Sequence, residues 1–154
     1  MSSRDIWGPL VWKLLHAMAD LSNRRDVYLL WNQVLRATAT ILPCELCRVH
    51  MNEYIRAHPF VLKNWMALSP QIIRENIRRW INDFHNSVNE RLGKPIHELK
   101  PLTDNNYHEK VVEVDASFRT LLEMWATRKI SLREWRLTTT HLIGFLKGGG
   151  EPTA

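Results

Sequence analysis

Only two cysteines occur in the 154 residues, which excludes the disulfide framework that staples small secreted domains. No apolar run approaches the roughly 20 residues that a membrane-crossing helix needs, so no membrane span is expected. Residues 1 to 20 lack the charged start, apolar block and small-residue cleavage site of a signal peptide, and the chain is expected to be cytoplasmic. Strand-like alternation and internal repeats are also missing, which leaves helices as the building material. Nor is there a block of like charge. Lys and Arg outnumber Asp and Glu by 21 to 16, but the excess is scattered through helical segments, and the reading is a solvated basic surface. A helical nucleic-acid binder using Arg74, Arg78 and Arg79 is the alternative that this excess raises, and no nucleic-acid partner is expected.

What the sequence does contain is apolar and aromatic. Apolar residues make up 45% of it and seven are tryptophan, enough for one domain with a real core and too much for disorder. Arg4 to Leu21 places Trp12, Leu15, His16 and Ala19 on one helical face, with Pro9 tolerable in a first turn. Val27, Leu30, Trp31, Val34 and Leu35 repeat the pattern up to Pro43, and a third helix opens at Cys44 with Leu46, Val49 or His50, and Tyr54 in register. Ser69, Pro70, Gly93 and Pro95 bracket a fourth helix as cap, first turn, left-handed stop and block. From Asp104 onward Val111, Val114, Phe118, Leu121, Leu122 and Trp125 form a fifth stripe. A sixth helix is expected to open on a Ser131/Glu134 capping box. The class is an all-α bundle.

Cys44 and Cys47 form a C-x-x-C at a helix start, where adjacent corners of one turn bring two sulfurs within bridging reach. The amide end of that turn also favours a thiolate. Three readings follow: a redox pair, half of a zinc-binding interaction module completed by His50 and His58, or two small buried side chains. The βαβ units that would surround the motif in a thioredoxin fold are absent. On the fourth helix, Asn82, His85, Asn86 and Asn89 make a second stripe that is polar yet uncharged. Asn and His are poor helix formers, so hydrogen-bonding duties explain them better than the alternative, a plain wet face, does.

The stretches "WGPLVWKLLHAMA", "PCELCRVH" and "FHNSVNERLGKP", in this order, resemble the Erv/ALR family of FAD-linked sulfhydryl oxidases over about residues 4 to 97. The resemblance implies a four-helix bundle with additional C-terminal helices here. Residues 1–100 would be the FAD-binding core, 101–147 a helical extension packed on it or at a dimer interface, and 148–154 a flexible tail. It implies that Gly8, Trp12 and His16 contact the flavin of FAD, that Cys47 lies against its ring, and that Cys44 is the exposed sulfur attacked by substrate. His50 would lie near the cofactor, His85, Asn86 and Asn89 at the adenosine, and Lys94 at the diphosphate, while Trp80 is either core or adenine stacking. No metal is implied. The activity implied is oxidation of protein dithiols to disulfides, with electrons passing through FAD to dioxygen to give hydrogen peroxide.

Family members often carry a second C-x-x-C on a shuttle segment and intersubunit disulfides, and this sequence has neither. Substrate is therefore expected to reach Cys44 directly or through a thioredoxin-like or small C-x-x-C relay protein, and any homodimer is expected to be noncovalent. Part of the apolar face carried by residues 101–147, including Leu132, Trp135, Leu142, Ile143, Phe145 and Leu146, is expected to cover the core and part to meet a second subunit or a client protein. Short versions of this kind look most like those of large cytoplasmic DNA viruses, which points to the host cytoplasm or the virion.

Overall fold

Caps and breakers divide the chain into six helices. The computed structural model describes residues 4–102 and 106–148, and all regular structure within them is helical. The helices are α1 (Arg4–Asp20), α2 (Tyr28–Ile41), α3 (Glu45–Ala57), α4 (Pro70–Arg91), α5 (Tyr107–Trp125) and α6 (Arg133–Gly148), with single 3-10 turns at Arg25–Val27 and Trp65–Ala67. None of them is long and apolar enough to cross a membrane.

The best-punctuated helix forms as its sequence dictates. The Ser69 hydroxyl accepts the Ile72 N–H at 3.2 Å, Pro70 fills the first position, and Gly93 takes φ +70 just past the end. Three details differ from expectation. Helix α1 runs from Arg4 as expected, but Pro9 then sits in its second turn rather than its first, where it removes the bond to the Asp5 carbonyl; Asp5 and Pro9 are both exposed, and water can serve that carbonyl. Helix α6 begins one residue too late for the capping box, and the Ser131 hydroxyl instead accepts the Arg133 N–H at 3.3 Å. Asp104 and the tail from 149 lie outside the described residues, and α5 starts at Tyr107.

Helix α1 is central. It packs against α4 on one side and α5 on the other, while α2 packs against α3 and α6. Trp31, Trp125 and Trp135 are fully buried, with Trp7 edge-on to Trp125 at 6.2 Å and Trp125 against Trp135 at 5.1 Å. Burying side chains of this size contributes about 1.5–3 kcal/mol each, so α5 and α6 belong energetically to the same core as α1 and α2. All twelve apolar positions expected on this extension, from Val111 to Leu146, are buried or half-buried within the single chain. The extension thus packs on the core, with Val111, Phe118, Leu122, Leu132 and Phe145 left partly exposed along its apolar stripes.

A charge cluster ties the core to the segment after α4. Arg78 is buried, donates to Asp20 at 2.9 Å and Glu75 at 3.0 Å, and also reaches the Lys100 carbonyl; Lys110 of α5 meets Asp20 at 3.0 Å. A buried guanidinium needs this many partners. Arg78 is thus internal and cannot serve a nucleic-acid surface, and Arg79 is drawn to Glu75 at 3.7 Å.

Candidate functional site

At the start of α3 the extended backbone of Cys44 makes it the N-cap, and its sulfur accepts the Cys47 N–H at 3.2 Å. Both cysteines are free thiols, Cys44 half-exposed and Cys47 only 7% exposed, so a protein thiol can reach Cys44 and not Cys47, which opens only onto the cavity described below. Burial tends to raise the Cys44 pKa, but the hydrogen bonds from the Cys47 side chain and backbone, with the charges of Arg4 and Arg91, bring it below the ordinary thiol value. Burial and then the bond to Cys44 push Cys47 up, opposed by Arg91 and Arg4. The two titrate as a pair, and the first proton leaves Cys44. The guanidinium of Arg91 lies 4.0 Å from the Cys47 sulfur, the one hydrogen-bond donor beside it from α4.

Cys47 forms part of the wall of a cavity of about 660 Å³ between α1, the start of α3 and the end of α4. On α1 the step of four that runs through Arg4, Gly8, Trp12 and His16 places all four on its wall. On α4 the steps Phe84, Val88 and Arg91 do the same, joined by His85 and Asn89, and Lys94 closes the rim. A Cβ on Gly8 would meet only Arg4 Cγ at 3.6 Å, so packing within the chain does not require a glycine there, and the room its side chain would fill belongs to the cavity.

The far wall is made of stacked rings. Trp12 lies parallel to His85 at 3.9 Å and 9°, and His85 Nδ1 is 2.9 Å from His16 Nε2, so one imidazole donates to the other. No third ring fits between Trp12 and His85. Burial, then His16, His97 and Lys94, lower the His85 pKa to about 4, and burial also lowers that of His16 against the pull of Asp20. Both are neutral at neutral pH. A second hollow of about 500 Å³ shares His16, His85 and His97 with the first, which makes the imidazole pair a partition between two spaces.

The structure thus brings together Gly8, Trp12, His16, Cys47, His85, Asn89 and Lys94. It places three other expected residues elsewhere. His50 is 2.8 Å from the Ser87 hydroxyl and lies along Phe84, off the cavity wall. Trp80 packs edge-on to Tyr54 and donates its indole N–H to the His58 carbonyl at 2.8 Å, so it ties α4 to the end of α3. Asn86 clamps His97, donating to its carbonyl at 2.7 Å and accepting its N–H at 2.9 Å, while Asn82 donates to the same carbonyl at 3.2 Å. Half of the uncharged stripe therefore holds the segment after α4. Arg4 and Arg91 were not anticipated, although Arg4 falls one helical step before Gly8 and Arg91 continues the face of Phe84 and Val88. The zinc alternative has no site: His58 stacks on Tyr54, and among the described residues no three His, Cys, Asp or Glu side chains are grouped to hold a metal.

The lining suits a ligand with both a flat apolar part and anionic groups. Aromatic rings and aliphatic side chains form the interior, and Arg4, Lys13, Arg91 and Lys94 bring four cations to the wall. The family model described as the Erv1 / Alr family matches residues 9–111. An FAD-linked sulfhydryl oxidase of African swine fever virus is 34% identical over 94 residues, covering 58% of this chain and 71% of the viral protein. A putative FAD-linked sulfhydryl oxidase of Invertebrate iridescent virus 6 is 32% identical over 99 residues, covering 59% and 83%. The FAD-linked sulfhydryl oxidase of Oryza sativa is 28% identical over 96 residues, covering 58% and 43%. No solved structure matches significantly.

Proposed function

The chain belongs to the Erv1 / Alr family, and from that premise we infer that it is an FAD-dependent thiol oxidase acting on protein dithiols and dioxygen. The observation that carries this reading is the step from Cys44 at the surface to Cys47 in the cavity wall. It is a route for an electron pair from outside to inside.

FAD fits the lining: Gly8, Trp12 and His16 would meet its flavin, His85 and Asn89 its adenosine, and Lys94 its diphosphate. The chemistry that FAD supplies when bound is acceptance of an electron pair and its delivery to dioxygen, giving hydrogen peroxide. The side chains do the rest. A substrate thiolate attacks the Cys44 sulfur of the Cys44–Cys47 disulfide, forming a bond to Cys44 and releasing Cys47 as thiolate. A second substrate thiolate attacks its neighbour's sulfur in that mixed bond, which frees Cys44 and leaves the substrate oxidised. Burial makes Cys47 a poor leaving group, and the guanidinium of Arg91 offsets this by stabilising the charge that arrives there.

His50 would act on Cys47 or the cofactor only from behind Phe84, Asn86 through the His97 backbone, and Trp80 through Tyr54 and Phe84. The partner is a protein dithiol or a thioredoxin-like or small C-x-x-C relay protein. A homodimer would be noncovalent, since both cysteines are committed, with the partly exposed apolar residues of α5 and α6 contributing to its interface. The working compartment is the host cytoplasm or the virion, a reading supported by the viral origin of the relatives and by the reduced state in which cytosolic thiols are otherwise kept. The test is oxygen uptake with dithiothreitol by the flavin-loaded protein and by Cys47→Ser. Turnover should be lost with flavin content unchanged; a Cys47→Ser protein that keeps its rate would overturn the route.

A further inference from the structure

Where α5 and α6 meet the core, two buried polar atoms find no partner in the protein. The indole N–H of Trp125 on α5 and the hydroxyl of Thr139 on α6 are fully buried, and neither is hydrogen-bonded to any of the described residues. Burying a polar group forfeits its bonds to water, so folded proteins nearly always pair such groups. Other threonines of the bundle show the ordinary solution: Thr38 and Thr138 donate to the carbonyls of Val34 and Glu134 one turn back, at 2.7 and 2.9 Å. Thr139 does not. The two orphan atoms share one hollow. Trp125 and Thr139 line a space of about 10 Å³ with Thr38 of α2 and with Val11 and Leu15 of α1, all of them buried. A single water needs roughly 10–15 Å³ of such space and two to four polar partners.

We propose that this hollow is a binding site for one water molecule, which bridges α2, α5 and α6. Donors and acceptors match. An indole can only donate, so the water accepts from Trp125 Nε1. The Thr38 hydroxyl gives its proton to Val34 and keeps its lone pairs, so the water donates to it. The Thr139 hydroxyl can turn either way and supplies the third bond, and three is the usual number for a buried water. A small apolar occupant such as dioxygen would leave Trp125 and Thr139 unpaired, so the polar lining selects water. Val11 and Leu15 also line the larger cavity and stand between it and the hollow. The extension is thus fastened to the core by a polar bridge as well as by ring packing, a role that does not depend on the oxidase reading.

Thr139→Val in the full-length protein keeps the size of the side chain and removes one partner. With a water in place, the variant takes away one of its three bonds, and the melting temperature should fall by about 2–4 °C, the effect of one net hydrogen bond in a chain of this size. With no water, valine relieves an unpaired hydroxyl and the melting temperature should rise. A rise, or no change, would overturn the proposal. A high-resolution crystal structure of the wild type needs no variant to fold. It should show density for one water about 2.7–3.2 Å from both Trp125 Nε1 and Thr139 Oγ1. A hollow without that density, or a direct bond between protein groups that satisfies both atoms, would overturn the proposal and leave the oxidase reading intact.

Discussion

Replacing Arg91 with methionine keeps the length of the side chain and removes the one charge that α4 brings to Cys47. Two unit charges 4 Å apart interact by about 1 kcal/mol in water and about 4 kcal/mol at an effective dielectric constant of 20. The guanidinium lies 4.0 Å from a buried sulfur, but Arg91 itself is exposed and screened, which places the interaction near the lower figure. Taking about 1.4 kcal/mol, the thiolate fraction of Cys47 at neutral pH should fall about tenfold. Nucleophilicity rises as a thiol becomes less acidic, with a Brønsted slope near 0.5, and returns about threefold of that. Alkylation by iodoacetamide, measured in the flavin-free Cys44→Ser background where serine can still cap α3, should therefore slow roughly threefold at neutral pH. At a pH where both proteins are fully ionised the order should reverse by a similar factor. High salt should move wild type toward the variant, because the cation is exposed. Coinciding rate profiles, or a variant slower at every pH, would refute the electrostatic role of Arg91.

Leu121 is fully buried beside Trp125 and Trp135, rigid neighbours that cannot close a hole, so Leu121→Ala should cost about 4 kcal/mol, near the top of the usual range. For a chain of this size the melting temperature should drop roughly 10 °C, and a drop of only one or two degrees would show that α5 is not part of the core. His85 has its pKa lowered to about 4 from an ordinary 6.5, so between these values the unfolded chain binds a proton that the folded chain refuses. Stability should be full above pH 6.5 and decline as pH falls toward 4; His85→Gln should flatten that decline in thermal melts, leaving the part due to His16, and parallel curves would contradict the assignment.

The helices were legible because their punctuation is local. Ser69, Pro70 and Gly93 act through the backbone of their own turn, and no distant contact overrides them. The site was legible in part for a related reason: Gly8, Trp12 and His16 recur every four residues, and helical geometry alone puts them on one face. Other features depended on what packs where. Leu46 and Val49 fit an apolar register with Tyr54, yet α3 buries Cys47 and Met51, so the register was right and the face was wrong. Asn82 and Asn86 carry a uniform stripe whose partner, the His97 backbone, is contributed by a segment with no periodicity of its own. Trp80 and His50 share α4 and α3 with site residues but turn toward Tyr54 and Ser87. The apolar excess of α5 and α6 gave no sign of whether its complement was a second subunit or α1 and α2, since burial by either has the same sequence pattern.

The most direct measurement of the central claim is the visible absorbance of wild-type protein incubated with FAD, freed of excess cofactor, and then given a dithiol in the absence of oxygen. The account predicts a flavin band that elutes with the protein, bleaches with dithiothreitol and returns on admitting air. A folded protein that elutes colourless, or a bound flavin that the dithiol leaves unbleached, would contradict it.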